Sequence, residues 1–278
     1  MSFNRQYDDE CPPYCTCVDC KSDYIRNYNY QSNGSGIFNI SLSRKESPIT
    51  ILLASVNILV LLLDLLLNGK IIEIGAKSSY GIINGEFWRL LTPIFLHADI
   101  FHLVTNLFGI LVFGSIIEKK LGSIKFIAIY VLSGIYGNTF SFYFSPYLGV
   151  GSSSSVFGVL ASLLTYFYLN KNMFGNIAKE YLISIIAIIS ISLIFGFISS
   201  GIDNAAHLGG ILSGLIISIL IVPRNNKEIY TYDSFERVFG VNRIIYKLIT
   251  NIYFKAFLAL FFVLIFIMMI SYRFNSGY

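Results

Sequence analysis

Seven long apolar segments constrain the fold of this 278-residue chain more than any other feature. At about 1.5 Å per residue, about 20 helical residues cross a hydrocarbon core of roughly 30 Å. The segments are close to that length, with approximate limits 49–67, 101–117, 124–144, 153–169, 181–200, 205–222 and 256–272. The sequence therefore predicts an all-α fold, a polytopic membrane helical bundle.

Composition supports a membrane location and argues against nucleic-acid binding. Hydrophobic residues make up 55% of the chain, charged residues 13%, and the mean hydropathy is +0.66. Soluble domains have about 25% charged residues. The net charge of +4 is scattered, without a dense Lys/Arg block of the kind that grips phosphate backbones. The lipid bilayer is an expected partner, and nucleic acid is not.

The polar and apolar stretches divide the chain into four predicted parts. Residues 1–48 are rich in Asn, Tyr and Ser, show no apolar period, and are expected to form a disordered cytosolic tail. No apolar segment of the signal-peptide kind follows a charged start. We expect a six-helix core over 49–222, a cytosolic linker over 223–255, and a seventh membrane helix with a short tail over 256–278.

All four cysteines lie in the predicted tail, at Cys11, Cys15, Cys17 and Cys20. The tight middle pair and the lack of a second CxxC at ribbon spacing argue against tetrahedral zinc. Reversible S-acylation and unmodified free thiols remain as alternative interpretations. No metal site is expected.

The Lys and Arg residues of the short loops predict the orientation of the bundle. The segments that would be cytosolic carry Arg44, Lys45, Lys119, Lys120, Lys125, Lys171, Lys179, Arg224, Lys227, Arg237, Arg243, Lys247 and Lys255. Only Lys70, Lys77, Arg89 and Arg273 fall on the other side. This bias predicts a cytosolic N-terminus. It also places serines 152–155 and His207 at the outer ends of the fourth and sixth segments.

A serine cluster and a histidine are thus expected at the same depth. A serine hydroxyl becomes a nucleophile when a base reaches it. Small residues recur every four positions on both segments, which allows two helices to approach closely. These residues are Gly158 and Ser162 on the fourth segment, and Ala206, Gly210 and Gly214 on the sixth.

His102 and Asn106 form a second polar pair, near the start of the second apolar segment. Their i, i+4 spacing puts both on one helix face. Polar side chains in a membrane helix are costly unless they face water or partners. The pair can donate hydrogen bonds to a developing oxyanion, or it can join helices by a mutual hydrogen bond.

Four ordered motifs carry a resemblance to a known family. They are W-R-L-L-T-P-I-F-L-H-A-D-I-F-H-L-V-T-N from Trp88, G-S-I-I-E-K-K-L-G from Gly114, G-S-S-S-S-V-F-G from Gly151, and A-H-L-G-G-I-L-S-G from Ala206. Together they resemble the rhomboid intramembrane serine proteases. The seventh helix is similar to the six-plus-one, secretase-type members of eukaryotes, with six core helices followed by one.

The resemblance implies a role for each matching residue. Ser153 would be the nucleophile and His207 its general base, while His102, Asn106 and the Ser153 N–H would form an oxyanion hole. Gly151 would let the turn approach the substrate carbonyl, and Phe157 would pack on the His207 ring. Trp88 and Arg89 would brace the first outer loop, and Glu118 would brace a cytosolic loop. The small face of the sixth segment, with Gly210 and Gly214, belongs to the same motif.

The sequence departs from the family at Ser154, where the family usually has glycine. A serine can occupy a helix start and donate a local hydrogen bond, so no catalytic group is lost. No acidic residue stands where it would orient His207, since Asp203 is expected in an exposed loop. Aromatic stacking is expected to orient the imidazole instead, and Asn138, Ser141 and Asn204 are expected to line a polar cavity or to join helices.

The predicted function is intramembrane serine endopeptidase activity on single-span membrane proteins, near the non-cytosolic end of their helix. No cofactor is implied. The expected location is a membrane of the secretory pathway or the cell surface. One alternative is an inactive relative that binds membrane clients. Another is a transporter, which the absence of inverted repeats disfavours.

Overall fold

The computed structural model describes residues 47–199, 201–223 and 251–275, and these residues contain seven long helices. They are α1 Pro48–Leu66, α2 Ile100–Leu121, α3 Ser123–Phe144, α4 Ser153–Leu169, α5 Asn176–Ile198, α6 Asn204–Ile221 and α7 Ile252–Asn275. Within these ranges there is no strand, only an isolated bridge between Lys77 and Gly149. The predicted all-α membrane bundle is confirmed.

Four of these helices, α1, α2, α5 and α6, are long and apolar enough to cross a membrane by length and composition. The apolar helix α4 is shorter, and α7 contains the apolar stretch Lys255–Ser271. The chain is therefore an integral membrane protein. Helix α5 begins at Asn176, before the predicted limit of 181, because backbone hydrogen bonding continues through a polar turn that hydropathy does not include.

Helix α2 is longer than predicted and is not uniform. A π-helical turn at Ile110–Gly114 interrupts it, and the helix then continues to Leu121. Gly122, at φ 86°, ends it. The sequence pattern gave no signal for the π turn, because Gly109 and Gly114 also suit the close helix contacts of an ordinary membrane helix.

The first outer loop is built from short helices, where the sequence predicted only a long connection. They are Lys70–Gly75, Ser79–Ile83 and the 3-10 turns Phe87–Leu90 and Thr92–Phe95. Trp88 Nε1 donates to the Ile74 carbonyl at 3.1 Å, and Arg89 Nη1 donates to the Ala76 carbonyl at 2.9 Å. Arg89 also forms an ion pair with Glu86. These bonds tie the loop to itself.

Glycines let α3, α4 and α6 pack almost backbone to backbone. A Cβ on Gly210 would overlap the carbonyl oxygen of Ser154, and a Cβ on Gly214 would lie 2.5 Å from the Gly158 Cα. A Cβ on Gly158 would in turn overlap the side chain of Ser133 on α3. Of the small residues that the sequence placed on facing helices, Gly158 is therefore in contact with Gly210 and Gly214.

A buried carboxylate joins three helices at the other end of the bundle. Glu118 is 2% exposed and accepts hydrogen bonds from Ile49 N at 2.9 Å, Thr50 N at 2.8 Å and Thr50 Oγ1 at 2.7 Å. Ser123 Oγ donates to it at 2.6 Å. The first N–H groups of a helix have no partner within the helix, so Glu118 caps α1.

The seventh helix packs beside α3, where Tyr136 stacks on Phe262 with ring centroids 3.9 Å apart. Residues 1–46 of the predicted tail over 1–48, with its cysteines, and most of the linker over 223–255 lie outside the described residues. The four domain boundaries of the sequence interpretation stay predictions.

Glu118→Ala is expected to lower the free energy of unfolding in detergent by about 3 kcal/mol, because buried main-chain and hydroxyl donors lose a charged acceptor. The matched control is Glu180→Ala, since Glu180 is exposed. That change should stay within about 0.5 kcal/mol of the unchanged protein. Equal effects of the two substitutions in denaturant titration would contradict the capping role.

Candidate active site

Ser153 and His207 meet where α4 and α6 begin. Ser153 is the first residue of α4, and His207 lies in the first turn of α6. The distance between Ser153 Oγ and His207 Nε2 is 2.9 Å. Ser153 is half-buried and His207 is 7% exposed. The hydroxyl and the imidazole are thus in hydrogen-bond contact in a largely desolvated place.

Phe157 packs against the imidazole from within α4. Its ring centroid is 4.4 Å from that of His207, with 34° between the planes. Phe157 follows Ser153 by one helical turn, so both contact the histidine from the same face of α4. The ring restricts rotation of the imidazole.

Asn204 contacts the other nitrogen of the same ring, a contact that the sequence interpretation missed. Its Oδ1 lies 3.3 Å from His207 Nδ1, and its Nδ2 donates to the Leu193 carbonyl at 3.2 Å. Because the bond to the Leu193 carbonyl uses the amide nitrogen of Asn204, its amide oxygen faces His207 and accepts from Nδ1–H. The proton then sits on Nδ1, and Nε2 is free to accept from Ser153. Gly196 leaves the space, since a Cβ there would overlap Asn204 Oδ1.

The sequence did contain a signal for this contact. Asn204 and His207 are at i and i+3, a spacing that places two side chains together on a helix. The sequence interpretation gave Asn204, Asn138 and Ser141 either to a cavity wall or to contacts that join helices. Asn138 donates to the Leu90 carbonyl at 2.9 Å, and Ser141 donates to Asp203, so these two join separate elements.

The sequence predicted Asp203 in an exposed loop, and this prediction is wrong. It is half-buried and caps α6, with Oδ1 accepting from Ala206 N at 3.0 Å. An acid before a helix lowers the energy of the unpaired first-turn N–H groups, which explains why it turns inward.

The three neighbouring serines point away from the histidine. Ser152, Ser154 and Ser155 are each at most 1% exposed. A Cβ on Gly137 would lie 2.5 Å from Ser154 Cβ, and a Cβ on Gly134 would overlap Ser155 Oγ. Ser154 and Ser155 therefore pack against α3. Of the four hydroxyls, that of Ser153 contacts His207.

Gly151 lies against the second polar pair. Its φ of 118° is in the region that favours glycine. A Cβ at this position would lie 2.6 Å from His102 Nε2 and 3.7 Å from Asn106 Nδ2. Both side-chain nitrogens therefore converge beside the turn that leads into Ser153, and no other residue fits there.

Asn106 keeps one N–H for this convergence point. Its Nδ2 donates one hydrogen to the His102 carbonyl at 2.9 Å, and an amide nitrogen has two. His97 supports the pair from behind, with its ring centroid 5.3 Å from that of His102. Burial, followed by the neighbouring His102, lowers the pKa of His97 to about 4, so His97 is neutral at pH 7.

The remaining residues named from the sequence lie away from the Ser153–His207 pair. Trp88 and Arg89 bind carbonyls of the outer loop, and Glu118 caps α1 at the other end of α2. Gly210 and Gly214 lie behind Ser154 and Gly158. Among the described residues, no cluster of three or more His, Cys, Asp or Glu side chains could hold a metal.

Fold and site together define a class: an all-α integral membrane protein with a serine–histidine pair within one end of its bundle. Comparison with known families identifies the family to which such a protein belongs. The family model described as Rhomboid domain matches residues 84–224, which contain every side chain of this site. The chain belongs to the rhomboid family.

Two relatives from Bacillus subtilis (strain 168) support this assignment. Rhomboid protease GluP is 43% identical over 144 residues, which is 52% of this chain and 28% of that protein. YdcA is 31% identical over 209 residues, which is 74% of this chain and 99% of that protein. Rhomboid protease AarA of Providencia stuartii is 32% identical over 179 residues, 55% of this chain and 63% of that protein. The chain thus spans little more than a quarter of GluP.

Asn204→Ala is expected to slow labelling of Ser153 by a fluorophosphonate about 10-fold, because His207 loses the acceptor that fixes its tautomer and orientation. Labelling is measured by intact mass over time. Asn138→Ala is the matched control, since it removes a buried amide that bonds to Leu90. An equal loss in both variants would contradict a specific role for Asn204.

Proposed function

We propose that this protein is an intramembrane serine endopeptidase that uses Ser153 and His207 as a catalytic dyad. The observation that carries the proposal is the 2.9 Å contact between Ser153 Oγ and His207 Nε2 inside a membrane bundle. Membership of the rhomboid family supports it, as do relatives that are named proteases.

In the first half of the reaction, Ser153 Oγ attacks the carbonyl carbon of the scissile peptide bond. The hydroxyl proton moves to His207 Nε2, which accepts it because Nδ1 carries the other proton. When the C–N bond breaks, His207 gives that proton to the leaving amine. The substrate's carbonyl carbon is left as an ester on Ser153.

The negative oxygen of the tetrahedral intermediate needs donors that are already in place. Two lie beside Gly151, the imidazole of His102 and the second N–H of Asn106. The main-chain N–H of Ser153 is the third donor that we propose. Ser153 is the first residue of α4, where helix N–H groups have no partner within the helix. The positive φ of Gly151 lets the substrate carbonyl come this close.

In the second half, water attacks the ester while His207 takes its proton. The C–O bond to Ser153 breaks, and His207 returns the proton to Oγ, so the enzyme is restored. Asn204 holds the imidazole in one tautomer through both halves. No metal or cofactor takes part.

The substrates we propose are single-span membrane proteins, cut near the non-cytosolic end of their helix. A peptide bond inside a helix has its carbonyl hydrogen-bonded, so the substrate must unwind locally, and small or helix-breaking residues favour this. The Lys/Arg pattern of the loops supports a cytosolic N-terminus in a membrane of the secretory pathway or the cell surface. Glycans on Asn33 or Asn39 would contradict this orientation.

Ser153→Ala is expected to abolish both fluorophosphonate labelling and cleavage of a single-span model client. Ser152→Ala and Ser155→Ala should keep most activity, because their hydroxyls are buried away from His207. Ser154→Gly should be neutral or activating, since it removes only a packed hydroxymethyl group and restores the usual family residue. Cleavage is followed by gel shift in proteoliposomes.

These serine variants also separate the alternatives. An inactive client-binding relative would bind the client but show neither labelling nor cleavage. If labelling persists in Ser153→Ala and disappears only when Ser154 is also changed, the nucleophile is Ser154 and the assignment to Ser153 is wrong.

His102→Ala and Asn106→Ala are each expected to lower turnover about 10- to 1000-fold while client binding is largely kept. The physical reason is that the oxyanion forms only in the transition state. Turnover and melting temperature in detergent are measured in parallel. If melting falls while turnover of the folded protein is unchanged, the pair joins helices and does not stabilise the oxyanion.

A further inference from the structure

Lys77 is a fully buried lysine in the loop between α1 and α2, and it is one of the few cations that the loop charges place on the predicted outer side. It is 0% exposed, and lysine is almost never fully buried unless it is paired. Its Nζ donates to the Tyr147 carbonyl at 2.6 Å and to the Ser145 carbonyl at 2.9 Å. The Ser141 carbonyl lies 3.5 Å away. Lys77 thus binds the carbonyls at the C-terminal end of α3, where a cation is favourable.

The main chain of Lys77 holds the next stretch of the same loop. Lys77 N donates to the Gly149 carbonyl at 2.8 Å, and Gly149 N donates to the Lys77 carbonyl at 3.0 Å. Further along, Gly151 N donates to the Pro93 carbonyl at 3.0 Å. Segment 145–151, which leads directly into Ser153, is therefore held against the loop between α1 and α2 mainly by the side chain and main chain of Lys77, with one further bond to Pro93.

Asp203 brings the start of α6 to the same place. Its Oδ2 accepts from Ser141 Oγ, while its Oδ1 caps α6 at Ala206 N. A Cβ on Gly149 would lie 3.4 Å from Lys77 Cε and 3.6 Å from Asp203 Oδ2. The lysine stem and the carboxylate therefore approach the same glycine.

Both halves of the dyad start from this cluster of Lys77, Ser141 and Asp203. Ser153 follows the segment that Lys77 holds, and His207 lies on the helix that Asp203 caps. A displacement of about 1 Å between reacting groups can cost about 100-fold in rate. We propose that Lys77 and Asp203 are positioning residues, which set the approach of Ser153 to His207 from outside the dyad.

This inference rests on the proposed protease function, and the test keeps the two apart. Lys77→Met retains the stem and removes the ammonium group. Asp203→Asn retains the cap and removes the charge. Full-length variants are assayed in proteoliposomes for kcat and KM on a single-span client, for the rate of fluorophosphonate labelling, and for melting. Amide hydrogen exchange is measured across 145–152.

In Lys77→Met, kcat and the labelling rate per folded molecule are expected to fall about 10- to 100-fold, with KM within about twofold. Exchange at Gly149 and Gly151 should become faster. The double variant should lose less than the product of the single losses, because both substitutions disturb one cluster. Asp64→Asn is the matched control, because Asp64 is a buried acid away from this cluster that accepts from Ile72 N at 2.9 Å.

The outcomes are distinct. A lower melting temperature with unchanged labelling per folded molecule would overturn the positioning role, as would losses equal to those of Asp64→Asn or unchanged exchange over 145–152. If the unchanged protein neither labels at Ser153 nor cleaves the client, the proposed function fails. Faster exchange in Lys77→Met would then still support Lys77 as the residue that holds this segment.

Discussion

The glycine contacts between α4 and α6 are the constraint on which the site depends. Ser153 and His207 lie on different helices, and the 2.9 Å distance between their side chains requires the helix axes to approach more closely than larger residues allow. The Ser154 carbonyl oxygen packs against Gly210, where a Cβ would overlap it, and Gly214 packs against Gly158. Without a hydrophobic driving force between helices in lipid, such close packing is itself the stabilising contact.

Several polar side chains inside this bundle satisfy a main-chain group or orient a ring. Glu118 satisfies the first N–H groups of α1, and Asp203 does the same for α6. Asn204 bridges His207 and the Leu193 carbonyl. An unsatisfied polar group in an apolar medium costs several kcal/mol, roughly. Glu118 and Asp203 therefore satisfy buried polar groups and fix where a helix starts. Asn204 satisfies buried polar groups and orients the His207 ring.

The segment between α3 and α4 is held in place by hydrogen bonds to a separate loop. The segment before Ser153 has no regular secondary structure of its own, yet Lys77 binds it through two side-chain and two main-chain hydrogen bonds. Gly151, at the end of this segment, lies within reach of His102 and Asn106. These bonds restrict the loop, which favours the preorganised oxyanion site proposed above.

The sequence by itself determined the all-α membrane class, because apolar segments of membrane length have few other solutions. It also indicated that Ser153 and His207 share one end of the bundle, since helix order and loop charge fix which ends lie on the same side. Their contact, the orientation of His207 by Asn204, and the inward turn of Asp203 and Lys77 were decided by tertiary structure. These depend on which atoms face each other across separate segments, and a one-dimensional pattern does not contain the distances between its own distant parts.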